Sequence, residues 1–204
     1  MSAIVLGGGD ALLIVDPQID FLPGGSLGVP QGDDVLAPIN RLIALFRARA
    51  LPVYVSRDWH PALHCSFAAQ GGPWPMHCVA GTDGARFSET LQLGDAIVVS
   101  KAETVELDAY SAFNGTGLAE ALRAAGIRRL TVCGLATDYC VLNTVVDGLT
   151  AGFGVLLVPE AMRAVNVNAG DGERALGRML HDGALPVQLS GASLVADIAL
   201  GAPA

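Results

Sequence analysis

The chain has 204 residues, of which 51% are hydrophobic and 16% charged, with a formal net charge of -8 at pH 7. That length suits one domain, residues 1–204, built around a sizeable core. The 12 basic residues are scattered through an acidic chain and no apolar stretch is long enough to span a bilayer. A nucleic-acid surface and a membrane span are therefore excluded, and small neutral or cationic ligands are the expected partners.

In chain order, the opening MSAIVLGGGD lacks the basic region, long apolar run and small-residue cleavage site of a secretory signal, so the expected location is cytoplasmic. Residues 11–15, ALLIV, form a short apolar run ending at Asp16, the pattern of a strand buried on both faces. From Asp33 to Ala50, Val35, Leu36, Ile39, Leu42, Ile43 and Phe46 recur at three- and four-residue spacing behind an Asp-Asp cap signal, which predicts a helix with Pro38 near its start. A second strand is predicted at LPVYVS (51–56). The stretch from Trp59 to Gly94 is rich in Pro, Gly and His and has little periodicity, and a loop this long in a compact domain is usually functional. Further strands follow at AIVVS (96–100), LTVCG (130–134) and VLLV (155–158), with a weaker sixth at 185–189. Helical patterns run from Leu118 to Ala125, Cys140 to Ala151 and Glu173 to His181, each followed by a glycine of the C-cap kind. Six runs alternating with helices predict a three-layer, Rossmann-like α/β fold, a mostly parallel sheet with helices on both faces.

Sheets of this kind place their ligand sites beyond the carboxyl ends of the strands. Asp16 follows the first run, Asp58 and His60 the second, Lys101 the third, and Cys140 the fourth after a short turn. An aspartate after a strand is often only a turn cap, and a single lysine is usually a solvated charge. The coincidence of four reactive side chains at one rim outweighs those readings. Cys133, inside an apolar run, fits a small buried hydrophobe. Cys140 does not, because Thr137 or Asp138 can cap the following helix and place the thiol in its first turn, where the N-terminal dipole favours thiolate. A nearby Lys101 lowers the thiol pKa further, Asp16 can accept its proton, and the N–H groups of Ala136 and Cys140 can bind an oxyanion.

Asp58-Trp59-His60 is a D-x-H pair whose side chains point the same way in extended chain, and His77 can fold back across the loop to join them. Two imidazoles and a carboxylate suit Zn²⁺, Fe²⁺ or Mn²⁺ with positions left open. His181 is expected to be an exposed helix-end residue.

The segments IVDPQIDFLPGGSL (14–27), SRDWHPALHCSF (56–67), WPMHCVAGTDGA (74–85), SKA (100–102), YSAF (110–113) and GLATDYCV (134–141) together resemble the nicotinamidase/pyrazinamidase branch of the isochorismatase-like hydrolases. The resemblance implies a six-stranded parallel sheet, a catalytic triad of Cys140, Asp16 and Lys101, and one divalent metal, zinc first and iron or manganese next, on Asp58, His60 and His77. It implies a cis peptide between Leu135 and Ala136 shaping the oxyanion hole, with Leu135 and Ala136 joining Phe21, Leu27, Trp74 and Tyr110 around the substrate. The implied reaction, a step of NAD salvage, hydrolyses nicotinamide to nicotinate and ammonia through a cysteine thioester, with pyrazinamide a further substrate; family members are often homo-oligomers. Members differ in a fourth metal position, which leaves the part of His64 open. Glu103, Glu106 and Asp108 depart from the pattern, as pocket rim or as solvated charge. The rivals are an amidohydrolase for a carbamoyl or ureido substrate, vinyl ether hydrolysis, for which a cysteine is superfluous, and a non-catalytic metal- or pyridine-binding module.

Overall fold

The structure, a computed structural model, describes residues 3–196. Its strands are β1 (Ala3–Ile4), β2 (Asp10–Val15), β3 (Val53–Asp58), β4 (Ile97–Lys101), β5 (Arg129–Leu135), β6 (Gly154–Arg163), β7 (Leu185–Ser190) and β8 (Ser193–Ala196). The helices are α1 (Leu36–Arg47), α2 (Leu118–Ala124), α3 (Leu142–Thr150) and α4 (Asp171–His181). The sheet runs in the order β1-β8-β7-β6-β5-β2-β3-β4. From β7 to β4 every neighbouring pair is parallel. These six strands are the six apolar runs of the sequence. Among the described residues the sheet nevertheless has eight strands rather than six, because a hairpin brings β8 antiparallel onto β7 and the two-residue β1 pairs antiparallel with β8.

Burial explains why the central runs are apolar without alternation. All six residues of β2 are buried. Their side chains alternate between two cores: Leu12 and Ile14 pack with Ile39, Leu42, Ile43 and Phe46 of α1. Ala11, Leu13 and Val15 pack on the other face with Leu118 and Leu122 of α2, Val145 of α3 and Met179 of α4. Helices on both faces leave no solvated side to the strand, so the period-two signal vanishes.

α1 starts later than the Asp-Asp signal suggested. Asp33 and Asp34 lie in a 3₁₀ turn, Gly32–Val35, with no side-chain cap, and Asp34 pairs with Arg163 at 3.1 Å instead. Pro38 is the third residue of α1, where its missing N–H costs nothing. The helix expected from Cys140 also begins later: Thr137–Val141 is a π-helical turn, and α3 follows from Leu142.

Topology directs the chemistry to one place. The chain winds outward from β2 through β3 to β4, then returns to place β5 on the other side of β2. Between β2 and β5 the winding reverses, and a crevice opens at the carboxyl ends of such a pair. Asp16 leaves one of these strands and the turn bearing Cys140 leaves the other. Gly134 is what lets them lie so close: its φ is +117° and a Cβ there would sit 2.1 Å from the Val15 carbonyl oxygen. The long loop after β3 folds over this end, held by isolated bridges from His60 to Val79, Phe67 to Trp74 and Gln18 to Phe87.

Candidate active site

Three buried groups, remote in sequence, meet beyond the strand ends. The Lys101 ammonium lies 3.5 Å from Cys140 Sγ and 3.0 Å from the Ala109 carbonyl, and it forms a very short bond to Asp58 Oδ1. Its distance to Asp16 Oδ2 is 3.0 Å. Asp16 is held by the Ser56 hydroxyl, which donates to Oδ1 at 2.7 Å. The contact of Oδ2 with Lys101 is an ion pair without hydrogen-bond alignment, so that oxygen keeps its acceptor capacity. Carboxylate oxygens of Asp16 and Asp58 and the sulfur of Cys140 all lie within 4.8 Å of one another. The backbone of Asp16 is left-handed, φ +46°, which turns the chain sharply out of β2 and holds the carboxylate at the crevice.

The charge balance differs from what the sequence suggested for the thiol. Burial raises the Cys140 pKa well above its ordinary value; Lys101 opposes this, and Asp16 and Asp58 reinforce it. Desolvation and two carboxylates outweigh one ammonium and the start of the turn, so the resting sulfur is a thiol. Burial also raises Asp16, against the pull of Lys101. Burial alone would lower Lys101, but Asp16 and Asp58 hold it well above its usual value, firmly charged. Burial opposes ionisation of Asp58 as well, yet Lys101 and the histidines bring its pKa below the normal value.

Beside this group stand Asp58, His60 and His77, whose ligand atoms lie within 4.8 Å of one another. Their hydrogen bonds decide which nitrogens face inward. His60 Nδ1 is 3.0 Å from the His77 carbonyl and His77 Nδ1 is 2.8 Å from the Pro75 carbonyl. A carbonyl only accepts, so each Nδ1 carries a proton and each Nε2 is the nitrogen left to face the cluster. Those Nε2 atoms lie 3.9 Å and 4.0 Å from the Asp58 carboxylate. Burial, the largest influence, depresses the His60 pKa to about 4, so its imidazole is neutral at neutral pH. Two imidazoles whose Nδ1 atoms are held by carbonyls and one carboxylate fit a divalent cation such as zinc. His64 is placed differently. Its Nδ1 receives the Ser66 N–H at 3.3 Å, which leaves Nε2–H to donate to the Leu107 carbonyl at 3.1 Å. Both nitrogens are thereby engaged.

A cavity opens onto both groups. Phe21, Leu27, Trp74, Tyr110, Ala136 and Cys140 line it, as do Asp58, His60 and His77. Leu135 does not line it. The side chain points with Cys133 into the core on the α1 side, and what it contributes at the site is the cis bond to Ala136. The Ala136 carbonyl accepts from the N–H groups of Tyr139 and Val141, both at 3.1 Å, which winds the turn around Cys140. Trp74 Nε1–H donates to the Tyr110 hydroxyl at 2.8 Å, and Tyr139 meets Trp74 edge-on with centroids 4.9 Å apart.

Sequence reasoning did not find Tyr139, Ser66, Ala109 or Val165 in this wall. Tyr139 was within reach, since it directly precedes Cys140. Val165 comes from the segment between β6 and α4, which carries no periodic signal. Asp138 holds it there: rather than capping a helix, its carboxylate accepts from Val165 N–H at 2.9 Å and Asn166 N–H at 2.8 Å. Of the acidic segment, Asp108 reaches the pocket rim while Glu103 and Glu106 are solvated. His181 is exposed at the end of α4.

Residues 10–189 match the model of the isochorismatase domain. The nicotinamidase of Escherichia coli K12 is 42% identical over 85% of this chain and 92% of its own length. The pyrazinamidase of Pyrococcus horikoshii, solved with zinc, superposes with a TM-score of 0.85 at 44% identity, covering 89% of this chain and 99% of that one. PnC1 of L. infantum, solved with nicotinate, gives 0.83 at 35% identity over 92% of this chain and 100% of its own.

Proposed function

The chain belongs to the isochorismatase family, and from that premise we propose that it is a single-domain amidohydrolase that converts nicotinamide to nicotinate and ammonia. The observation that carries this reading is the meeting of sulfur, carboxylate and ammonium within one buried contact, its sulfur lining an aromatic-walled cavity that a metal donor set lines too.

Asp16 takes the proton of the Cys140 thiol as the sulfur attacks the carboxamide carbon. The neutral resting thiol suits this order: the thiolate forms only as Asp16 accepts its proton, with Lys101 beside it to balance the charge. The N–H groups of Ala136 and Cys140 receive the oxyanion. Asp16 returns the proton to the amide nitrogen, the C–N bond breaks and ammonia leaves, with the acyl group on sulfur as a thioester. Water then loses a proton to Asp16 and adds to the thioester carbon; the C–S bond breaks, Cys140 is reprotonated, and nicotinate departs. Phe21, Leu27, Trp74, Tyr110 and Tyr139 enclose the flat ring and keep bulk water out. Asp58 and the Nε2 atoms of His60 and His77 would hold one divalent ion, zinc in the first instance, which when bound supplies an anchor for the pyridine nitrogen. His64, hydrogen-bonded at both nitrogens, is left out of that ligand set.

Among the described residues no helix is long and apolar enough to cross a membrane. The reading includes a cytoplasmic location, where the four free cysteines remain thiols.

The test is ammonia release from nicotinamide by zinc-loaded protein, beside a panel of pyrazinamide and ureido substrates. Turnover of the ring amides is expected, and turnover of the ureido compounds alone would overturn the substrate assignment. Cys140→Ala should abolish turnover with zinc content unchanged by elemental analysis; a variant that stays active would transfer the attack to a hydroxide.

A further inference from the structure

Gln18 lies outside the triad and the metal donor set, yet it is fully buried and its side-chain amide makes three hydrogen bonds. Its Oε1 accepts the Asp58 N–H at 2.7 Å, and its Nε2 donates to the Asp58 carbonyl at 2.8 Å and the Ala85 carbonyl at 3.0 Å. Two of these bonds engage both the N–H and the carbonyl of a single residue, Asp58.

The reason lies in how β2 ends. Its parallel pairing with β3 runs through Leu12, Leu13 and Ile14, and the last main-chain bond passes from Asp16 N–H to the Ser56 carbonyl at 3.2 Å. At Asp16 the left-handed turn takes the backbone away from β3, and Asp58, two residues further along that strand, would lose its partner on this side. The Gln18 amide takes the vacated place and supplies one donor and one acceptor to Asp58, as a continuing strand would. On the other side Asp58 pairs with Lys101 of β4.

We infer that Gln18 is a positioning residue that sets the Asp58 carboxylate where it faces both Lys101 and the His60–His77 pair. The inference rests on the reading of Asp58, His60 and His77 as metal ligands. A ligand whose backbone can pivot presents its carboxylate poorly to the ion, and loss of such a supporting contact weakens metal binding roughly 10–100-fold.

The experiment compares wild type, Gln18→Asn, Gln18→Glu, Gln18→Met, His60→Ala and Leu122→Ala. Asparagine keeps the amide one methylene short, glutamate keeps the acceptor but opposes two carbonyls, and methionine removes both functions. Leu122→Ala is a core truncation on the face of the sheet opposite α1, away from Asp58, His60 and His77, and controls for lost stability. Zn²⁺ affinity is measured by competition with a chromophoric chelator, and the visible spectrum of the Co²⁺-loaded protein reports the ligand field. A variant too unstable for titration is read by its upward Tm shift with added Zn²⁺. The expected result is a loss of about 10–100-fold in zinc affinity for the Gln18 variants, with an altered cobalt spectrum, while Leu122→Ala binds as wild type does. Wild-type affinity and spectrum in the Gln18 variants, with His60→Ala unable to bind, would overturn the role of Gln18 alone. If wild type and His60→Ala bind zinc equally, the ligand set itself is wrong and the inference falls with it.

Discussion

Replacing Lys101 by methionine, nearly isosteric but neutral, tests the electrostatics on which the proposed chemistry depends. In wild type one ammonium serves Asp16 at 3.0 Å and Asp58 at still shorter range, all three groups being buried. Two unit charges at that separation attract by about 5 kcal/mol at an effective dielectric near 20. Part of this is offset, because the variant no longer desolvates a lysine, and removal of one partner from a buried pair costs about 3–5 kcal/mol net. The variant leaves two carboxylates close together, and the cheapest relief is a proton on Asp16. Burial already raises that carboxyl and Lys101 is the main influence opposing it, so its folded pKa rises further without the ammonium. A carboxyl whose folded pKa exceeds its unfolded one stabilises the fold at low pH and loses that contribution as pH climbs through the folded pKa. The deficit against wild type should therefore be largest above neutrality and shrink toward pH 4. Urea unfolding of both proteins in chelator at several pH values measures it, and kcat should fall by about 100- to 1,000-fold, as when a group that stabilises the reacting centre is removed. A deficit independent of pH, or a variant as stable as wild type at pH 7.5, would refute the shared-ammonium account.

Three further outcomes follow from single contacts. In the metal-free protein the folded His60 titrates near 4 whereas its unfolded value is 6.5, so the unfolded chain takes up the proton first on acidification. Stability should then fall from pH 6.5 to 4 by up to about 3 kcal/mol, with a shallower slope in His60→Gln; a flat profile would contradict the neutral, buried imidazole. Asp138→Asn, which keeps one acceptor for the Val165 and Asn166 N–H groups, should loosen that wall by about 1 kcal/mol and raise KM for nicotinamide roughly fivefold with kcat little changed; an unchanged KM would mean that Val165 does not bear on substrate. Burial pushes the Cys78 and Cys133 thiols up, so in native protein at pH 7.5 iodoacetamide should modify the partly exposed Cys65 and leave those two intact by mass spectrometry. Comparable labelling of Cys133 and Cys65 would show the core to be open.

The parallel strands were legible because a strand covered on both faces reads as an unbroken apolar run, and the six runs of the sequence are the six parallel strands of the sheet. Convergence at one rim was legible too, since Asp16, Asp58, Lys101 and the turn before Cys140 each stand at a strand's carboxyl end and parallel pairing carries those ends to the same edge. β1 and β8 escaped notice for the opposite reason: with two and four residues, partly exposed, neither is long enough to show a period.

What the chain order could not convey is how much water each polar group loses. The position of Cys140 at the start of a helical turn argued for a thiolate, and that local argument is sound in solvent, where the dipole and a neighbouring ammonium act unopposed. Folding adds an influence that no local window contains, because the same strand ends that deliver Lys101 to the sulfur also deliver Asp16 and Asp58, and all four groups are buried. The sign of the shift then reverses. A buried neutral thiol paired with a raised carboxyl is poised differently from a free thiolate: the nucleophile is generated only as its proton moves to Asp16, and a substrate that expels the remaining water strengthens each of these interactions at once. Gln18 shows the same limit from the structural side. Its polar side chain reads as an ordinary loop glutamine until the left-handed turn at Asp16 creates a gap in the ladder beside Asp58, and only the folded backbone shows that an amide is the group that fills it.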